Sequence, residues 1–111
     1  RGTFLLDHLG VGFTLLYFTE EGLLPEDIAR AVYSIRRSQA PLDHLVISRR
    51  SANNKADGWL ADPEGRVFEK YGASHGTGYL VRPDAHVAAR WMRVSGKGVQ
   101  AALARIVRTT D

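Results

Sequence analysis

A chain of 111 residues, 44% hydrophobic and 24% charged, has the length and composition of one globular domain that buries a core without metals or disulfides. It contains no cysteine, which excludes disulfides, thiolate metal sites and thiol redox chemistry carried by this chain. Its net charge of +3 is spread over 15 Lys and Arg among 12 Asp and Glu, without the concentrated basic stripe that a nucleic-acid partner requires.

No apolar run approaches the roughly 18 residues of a membrane span, and no charged-then-apolar leader opens the chain. The expectation is a soluble, cytoplasmic protein that contacts neither membrane nor nucleic acid. The chain opens Arg1-Gly2-Thr3 without an initiator Met, so we expect a piece cut from something longer.

Phe4 to Leu9 fits either an extended piece or a short helical turn. From Gly12, the run GFTLLYF mixes β-branched and aromatic residues with almost no polar interruption, the pattern of a strand buried on both faces. Pro25, Glu26 and Asp27 then have the chemistry of a helix start: a fixed φ and negative charge at the positive end of the dipole. Ile28, Val32 and Ile35 recur on one helical face, and the helix ends before Pro41. Leu42 to Ile47 reads as a second strand, parallel to the first through a βαβ crossover. Ser48 to Lys55 is polar and aperiodic, an exposed loop.

Asp62-Pro63-Glu64-Gly65 admits two readings: an N-cap Asp with Pro in the first helical position, or a β-turn ending in Gly. We take the helix, because Val67, Phe68 and Tyr71 fall at helical spacing and Gly72 stands where a left-handed C-terminal residue is wanted. Gly76 to about Val94 reads as a β-hairpin around the turn Arg82-Pro83-Asp84-Ala85, in which Pro83 presets the second position and Asp84 tolerates the third. After Ser95-Gly96-Lys97-Gly98, the residues Val99, Leu103, Ile106 and Val107 mark an amphipathic last helix. The order strand, helix, strand, helix, hairpin, helix predicts an α/β, thioredoxin-like fold: a central mixed four-stranded sheet with helices on both faces and no redox cysteines.

Candidate chemistry is sparse. Gly72 to Gly78 has the close glycines of a phosphate loop, but it leads into a strand and lacks the lysine, so it reads as a flexible lead-in to the hairpin. His8, His44, His75 and His86 show no tight metal-ligand spacing. Asp43, His44 and Ser48 supply the residue types of a hydrolytic triad without a nucleophile elbow. Trp59, Trp91, Tyr17, Tyr33 and Tyr79 are not interleaved with Lys or Arg as stacking platforms are, and core packing explains most of them. No catalytic, cofactor-binding or metal residue is therefore assigned within this chain.

Three blocks carry a family resemblance. The hairpin YLVRPDAHVAARW, from Tyr79 to Trp91, resembles a signature near the C-terminus of FAD-dependent aromatic hydroxylases of the phenol hydroxylase and 3-(3-hydroxyphenyl)propionate hydroxylase type. Asp7-His8-Leu9-Gly10 followed by Gly12-Phe13-Thr14-Leu15-Leu16 is similar to that family's Asp-x-x-Gly-x-Gly-Phe-Thr-Leu-Leu segment, and Asp62 to Gly72 to its Asp-x-x-Gly to Tyr-Gly segment. Ala85 stands where many members have Gly or Gln, and Ala89 where many have Trp.

The resemblance implies a single thioredoxin-like domain over residues 1–111, the C-terminal piece of a larger flavoenzyme. It implies that FAD, NADH or NADPH and the aromatic substrate pocket belong to the parent's other domains, and that this piece binds no cofactor. Its partners would be the flavin and substrate domains of the parent, with a contribution to a homodimer, and Arg82, Asp84 and His86 would shape the turn and touch the parent. The alternative is a stand-alone thioredoxin-like protein-binding module without redox activity. A small enzyme or electron carrier is disfavoured by the missing cysteine, metal set and paired carboxylates.

Overall fold

A computed structural model describes residues 12–38, 41–50 and 59–110. The segment Phe4 to Leu9, His8 within it, and most of the loop Ser48 to Lys55 lie outside the described residues. The elements in order are β1 (Phe13–Thr19), α1 (Glu26–Ser38), β2 (Leu42–Ser48), β3 (Trp59–Ala61), α2 (Arg66–Tyr71), β4 (Gly78–Val81), β5 (Val87–Trp91) and α3 (Gly96–Thr110).

Among the described residues the sheet has five strands, in the order β3-β2-β1-β4-β5, which corrects the expected four. Strand β3 escapes a pattern-based reading because its three residues, Trp59-Leu60-Ala61, are too few to display a period. They pair in parallel with Val46, Ile47 and Ser48. Strands β1 and β2 are parallel, Phe13 opposite Leu42 through Thr19 opposite Ser48, as the crossover through α1 demands. Strand β4 runs antiparallel to β1, and β5 antiparallel to β4.

Alternation along β1 divides the core in two. Leu15 and Tyr17 join Val46, Leu80 and the apolar stripes of α1 and α3, Ile28, Val32, Ile35, Val99 and Leu103 among them. Leu16 and Phe18 face the other way, onto Leu45, Ile47, Tyr79 and Phe68 of the short α2. Helices therefore cover both faces, and β1 is buried on both, as its sequence predicts. Phe18 is fully buried, with the Phe68 ring edge-on at 5.2 Å, so Phe18→Ala would cost about 3–5 kcal/mol. Ile106 packs at the rim of the α1 and α3 side, while Val107 falls outside the described side chains.

Local chemistry sets the helix boundaries. Helix α1 begins just after Pro25, whose carbonyl accepts the amides of Ile28 and Ala29. Helix α3 starts at Gly96, earlier than its apolar period, because Ser95 Oγ accepts the Gly98 amide at 3.1 Å. Gly96 also approaches α1 so closely that a Cβ there would strike the Asp27 carbonyl.

The Asp62-Pro63-Glu64-Gly65 reading is corrected toward the turn. The Gly65 amide donates to the Asp62 carbonyl at 3.0 Å, Gly65 adopts φ 74°, and the helix starts only at Arg66. Asp62 nevertheless caps that helix: its carboxylate accepts the amides of Arg66, Val67 and Phe68, each at 3.0 Å. At the other end Gly72 takes φ 60°, and the Gly72 and Ala73 amides close on the carbonyls of Glu69 and Phe68, a Schellman ending.

Candidate functional site

The parallel strands β1, β2 and β3 finish at one end of the sheet, where α/β proteins usually bind ligands. Several polar side chains there are turned onto backbone. Thr19 Oγ1 accepts the Glu21 amide at 3.0 Å, Ser48 Oγ accepts the Arg50 amide at 3.0 Å, and His75 Nδ1 accepts the Glu20 amide at 3.0 Å. Thr77 Oγ1 accepts the Ser74 amide and donates to the Met92 carbonyl. Asp27 spans to the Gly96 amide at 2.8 Å and so ties the starts of α1 and α3 together. Burial above all, then the negative charges of Asp27 and Glu21, raises the Tyr17 phenol above its ordinary value, with Arg93 opposing. At neutral pH that phenol keeps its proton.

The sequence-level candidates do not converge. His44 lies within β2, half-buried on the face of Leu42 and Val46, and its imidazole is held below the usual value, first by burial and then by Arg36, with Asp43 opposing. Neighbouring Asp43 points to the opposite face by strand alternation, and Ser48 closes the far end of β2, so the three make no triad. His75 sits in the lead-in to β4 and His86 at the β4–β5 turn. Among the described residues, no group of three His, Cys, Asp or Glu could hold a metal ion.

The Gly72 to Gly78 segment leads from α2 into β4, not from strand to helix. Its Gly76 amide donates to the Phe18 carbonyl at 2.8 Å and its Thr77 carbonyl accepts from Phe18, which stitches it to β1. Tyr17 and Tyr79 are core residues, and Trp59 and Trp91 pack at the core rim. Tyr33 is exposed on α1, where Arg37 donates to its hydroxyl at 2.9 Å.

The opposite end of the sheet carries the turn. The Ala85 amide donates to the Arg82 carbonyl and the Arg82 amide to the His86 carbonyl, each at 2.8 Å, which confirms the four-residue turn Arg82-Pro83-Asp84-Ala85. Asp84 holds it: the carboxylate accepts the His86 amide at 3.1 Å and meets Arg82 at 3.1 Å and His86 Nδ1 at 3.2 Å. The His86 amide bond, with smaller help from the His86 side chain and from Arg82, keeps the Asp84 carboxyl below the usual carboxylate range. Ala85 closes the turn at φ 72°, a left-handed conformation unusual for a residue with a side chain. Beyond the turn the pairing slips by one residue, because Val81 pairs with Val87 while Leu80 pairs with Ala89, leaving a bulge at Ala88.

Between this hairpin and α3 lies a half-open groove of about 630 Å³. Phe13, Val87, Ala88 and Ile106 supply its apolar surface together with Pro83, and Arg82 and Arg105 are the charged residues that line it. Sequence reasoning did not assemble this group, since its members come from β1, the hairpin and α3 and share no local spacing. It also missed a second cluster. Arg90 Nε donates to the Tyr79 hydroxyl at 2.7 Å, its Nη2 donates to the Gly72 carbonyl at 3.2 Å, and the Tyr79 hydroxyl donates to the Tyr71 carbonyl. Arg90 thus bolts β5 to the end of α2. The available signal was a single Arg, between Ala89 and Trp91, in an otherwise uncharged strand.

No family model matches the chain, and no curated protein matches it in sequence. Among solved structures, it is similar to aklavinone-11 hydroxylase, determined in a ternary complex with FAD and aklavinone, at 28% identity and a TM-score of 0.68 over 93% of this chain. It is also similar to the flavin-dependent monooxygenase PieE, determined with FAD and substrate, at 24% identity and a TM-score of 0.60 over 87% of this chain. The chain spans only 18% and 15% of those two proteins. A peroxiredoxin Q variant of Xanthomonas campestris superposes with a TM-score of 0.67 at 16% identity, 96% of this chain covering 84% of that one.

The fold is thioredoxin-like. It occurs here on five strands and without any cysteine, and it recurs as a segment of FAD-dependent hydroxylases. No helix among the described residues is long and apolar enough to cross a membrane.

Proposed function

We propose that residues 1–111 form one non-catalytic, C-terminal thioredoxin-like domain of an FAD- and NAD(P)H-dependent hydroxylase acting on an aromatic, phenolic substrate. The observation that carries this reading is the likeness to aklavinone-11 hydroxylase, 28% identical across 93% of this chain yet covering only 18% of the hydroxylase. The commitment of Thr19, Ser48 and His75 to backbone amides, at the end where the parallel strands finish, also supports a domain that performs no chemistry itself. On this reading the domain packs on the parent's flavin and substrate domains and contributes to a homodimer. The parent is cytoplasmic, and this domain touches neither nucleic acid nor membrane.

The test begins with the coding sequence upstream of Arg1, where a strand followed by Gly-x-Gly-x-x-Gly is expected. The full-length product should purify yellow with bound FAD and oxidise NADH or NADPH in response to a phenolic substrate. An upstream sequence with no such fingerprint, or a colourless product, overturns the reading. The second reading, a stand-alone protein-binding module, draws on the peroxiredoxin Q likeness, in which a fold of this kind makes up 84% of the matched chain.

A further inference from the structure

The solvent side of α1 carries a pattern that packing within the domain does not use. Glu26, Arg30, Tyr33 and Arg37 recur at intervals of four, three and four residues, the period of a helix–helix seam, on the face opposite Ile28, Val32 and Ile35. All four are exposed, the Glu26 and Arg30 side chains to 78% and 76%. Glu26 accepts Arg30 through one carboxylate oxygen. Arg37 donates one nitrogen to the Tyr33 hydroxyl and lies 5.5 Å over the ring, yet the tyrosine stays 62% accessible. Compensation of the helix dipole accounts for Glu26 in the first turn and Arg37 in the last, but not for an exposed aromatic ring between them. The seam complements itself when its direction is reversed. Two copies of α1 laid antiparallel set Glu26 of each opposite Arg37 of the other, and Arg30 of each opposite Tyr33 of the other. Both ends then join a carboxylate to a guanidinium, and the centre places guanidinium groups on aromatic rings.

We infer that α1 pairs antiparallel with α1 of a second copy of this chain, about a two-fold axis that crosses the seam between Arg30 and Tyr33. The inference rests on the homodimer proposed above and gives it a surface. An unlike partner would have to present the same charges in reverse order, whereas a second copy does so by symmetry. The two helix dipoles also run in opposite directions, which favours this arrangement over a parallel one. A helix of 13 residues is about 20 Å long, so the contact is of the small, reversible class.

The test is equilibrium sedimentation of the full-length protein over a range of concentrations, as the wild type, as Glu26→Arg, as Arg37→Glu, and as an equimolar mixture of the two variants. The wild type should associate reversibly to a dimer, and less tightly as salt is added. Each variant alone sets like charges against each other at both ends of the seam, and its dimer constant should weaken roughly tenfold. In the mixture every end again joins a carboxylate to a guanidinium, so association should return to within about threefold of the wild type. Arg66→Glu, a charge reversal at a side chain 83% accessible and outside α1, should leave association unchanged. A wild type that stays monomeric, or a dimer indifferent to both reversals, overturns the inference. Weakening in each variant that mixing does not repair overturns it equally, because only the antiparallel register predicts the repair. Bound FAD, read by absorbance in the same samples, reports separately on the hydroxylase reading, so a colourless protein that still pairs through α1 removes that reading alone.

Discussion

Asp62 Oδ2 accepts the amide of Phe68 at 3.0 Å across six residues of chain, and the turn between them makes that reach possible. A carboxylate held this way by three amides satisfies most of the orphan donors at the start of α2. Asp62→Ala should destabilise the domain by about 2 kcal/mol, the upper end of the range for helix caps. Asp62→Asn, which keeps one acceptor oxygen, should cost about half as much. Urea unfolding of the three proteins, with unchanged m-values, checks both figures.

The Tyr79 hydroxyl both accepts from Arg90 and donates to the Tyr71 carbonyl, so one oxygen links β4, β5 and α2. Tyr79→Phe strands a guanidinium donor and a carbonyl, and should cost about 1–3 kcal/mol. In a double-mutant cycle with Arg90→Met, a coupling energy of at least about 0.5 kcal/mol is expected; additivity would show that the bolt contributes nothing beyond its separate contacts.

Ala85 sits in the left-handed region at φ 72°, a conformation that glycine adopts without the side-chain penalty. Ala85→Gly should stabilise the domain by up to about 1 kcal/mol, and Ala85→Val should destabilise it by at least as much. Thermal unfolding decides, with a shift of about 4 °C per kcal/mol expected at this size.

His44 gives the pH dependence. Its folded pKa lies below the ordinary value, so from about pH 6.5 downward the unfolded chain takes up a proton that the folded chain refuses. Stability should therefore fall as pH drops through that window and level off below the folded value. His44→Gln should remove this loss, leaving a flatter profile between pH 7 and the onset of carboxylate titration, measurable by chemical denaturation at stepped pH.

Gly96→Ala should cost about 1–3 kcal/mol, because the added methyl group meets the Asp27 carbonyl and forces α1 and α3 apart at their starts. Gly98→Ala, whose new methyl would lie 3.1 Å from the Trp91 indole nitrogen, should cost less. Comparing the two by urea unfolding separates backbone collision from side-chain adjustment.

Much of this architecture is legible in the residues. Gly12 to Phe18 and Leu42 to Ile47 are dense apolar runs with turn signals around them, and the Arg82-Pro83-Asp84-Ala85 turn has few alternatives once Pro83 fixes a dihedral. Asp62-Pro63-Glu64-Gly65 was ambiguous for a physical reason: a β-turn and a helix start want the same residues, and here Asp62 serves both. Strand β3 was hidden because its pairing with β2, not its composition, makes it a strand. The groove was hidden more deeply. Phe13 and Ile106 lie near opposite ends of the chain, and only the strand order brings them to one side of the hairpin.

The slipped pairing at Ala88 also bears on how the molecule behaves in company. Among the described residues, the sheet is bordered by three-residue β3 on one side and by β5, bent by its bulge, on the other. Neither border offers the long, flat row of unsatisfied amides on which a second chain would crystallise into a fibre. A domain made at high concentration is thereby guarded against stacking edge to edge.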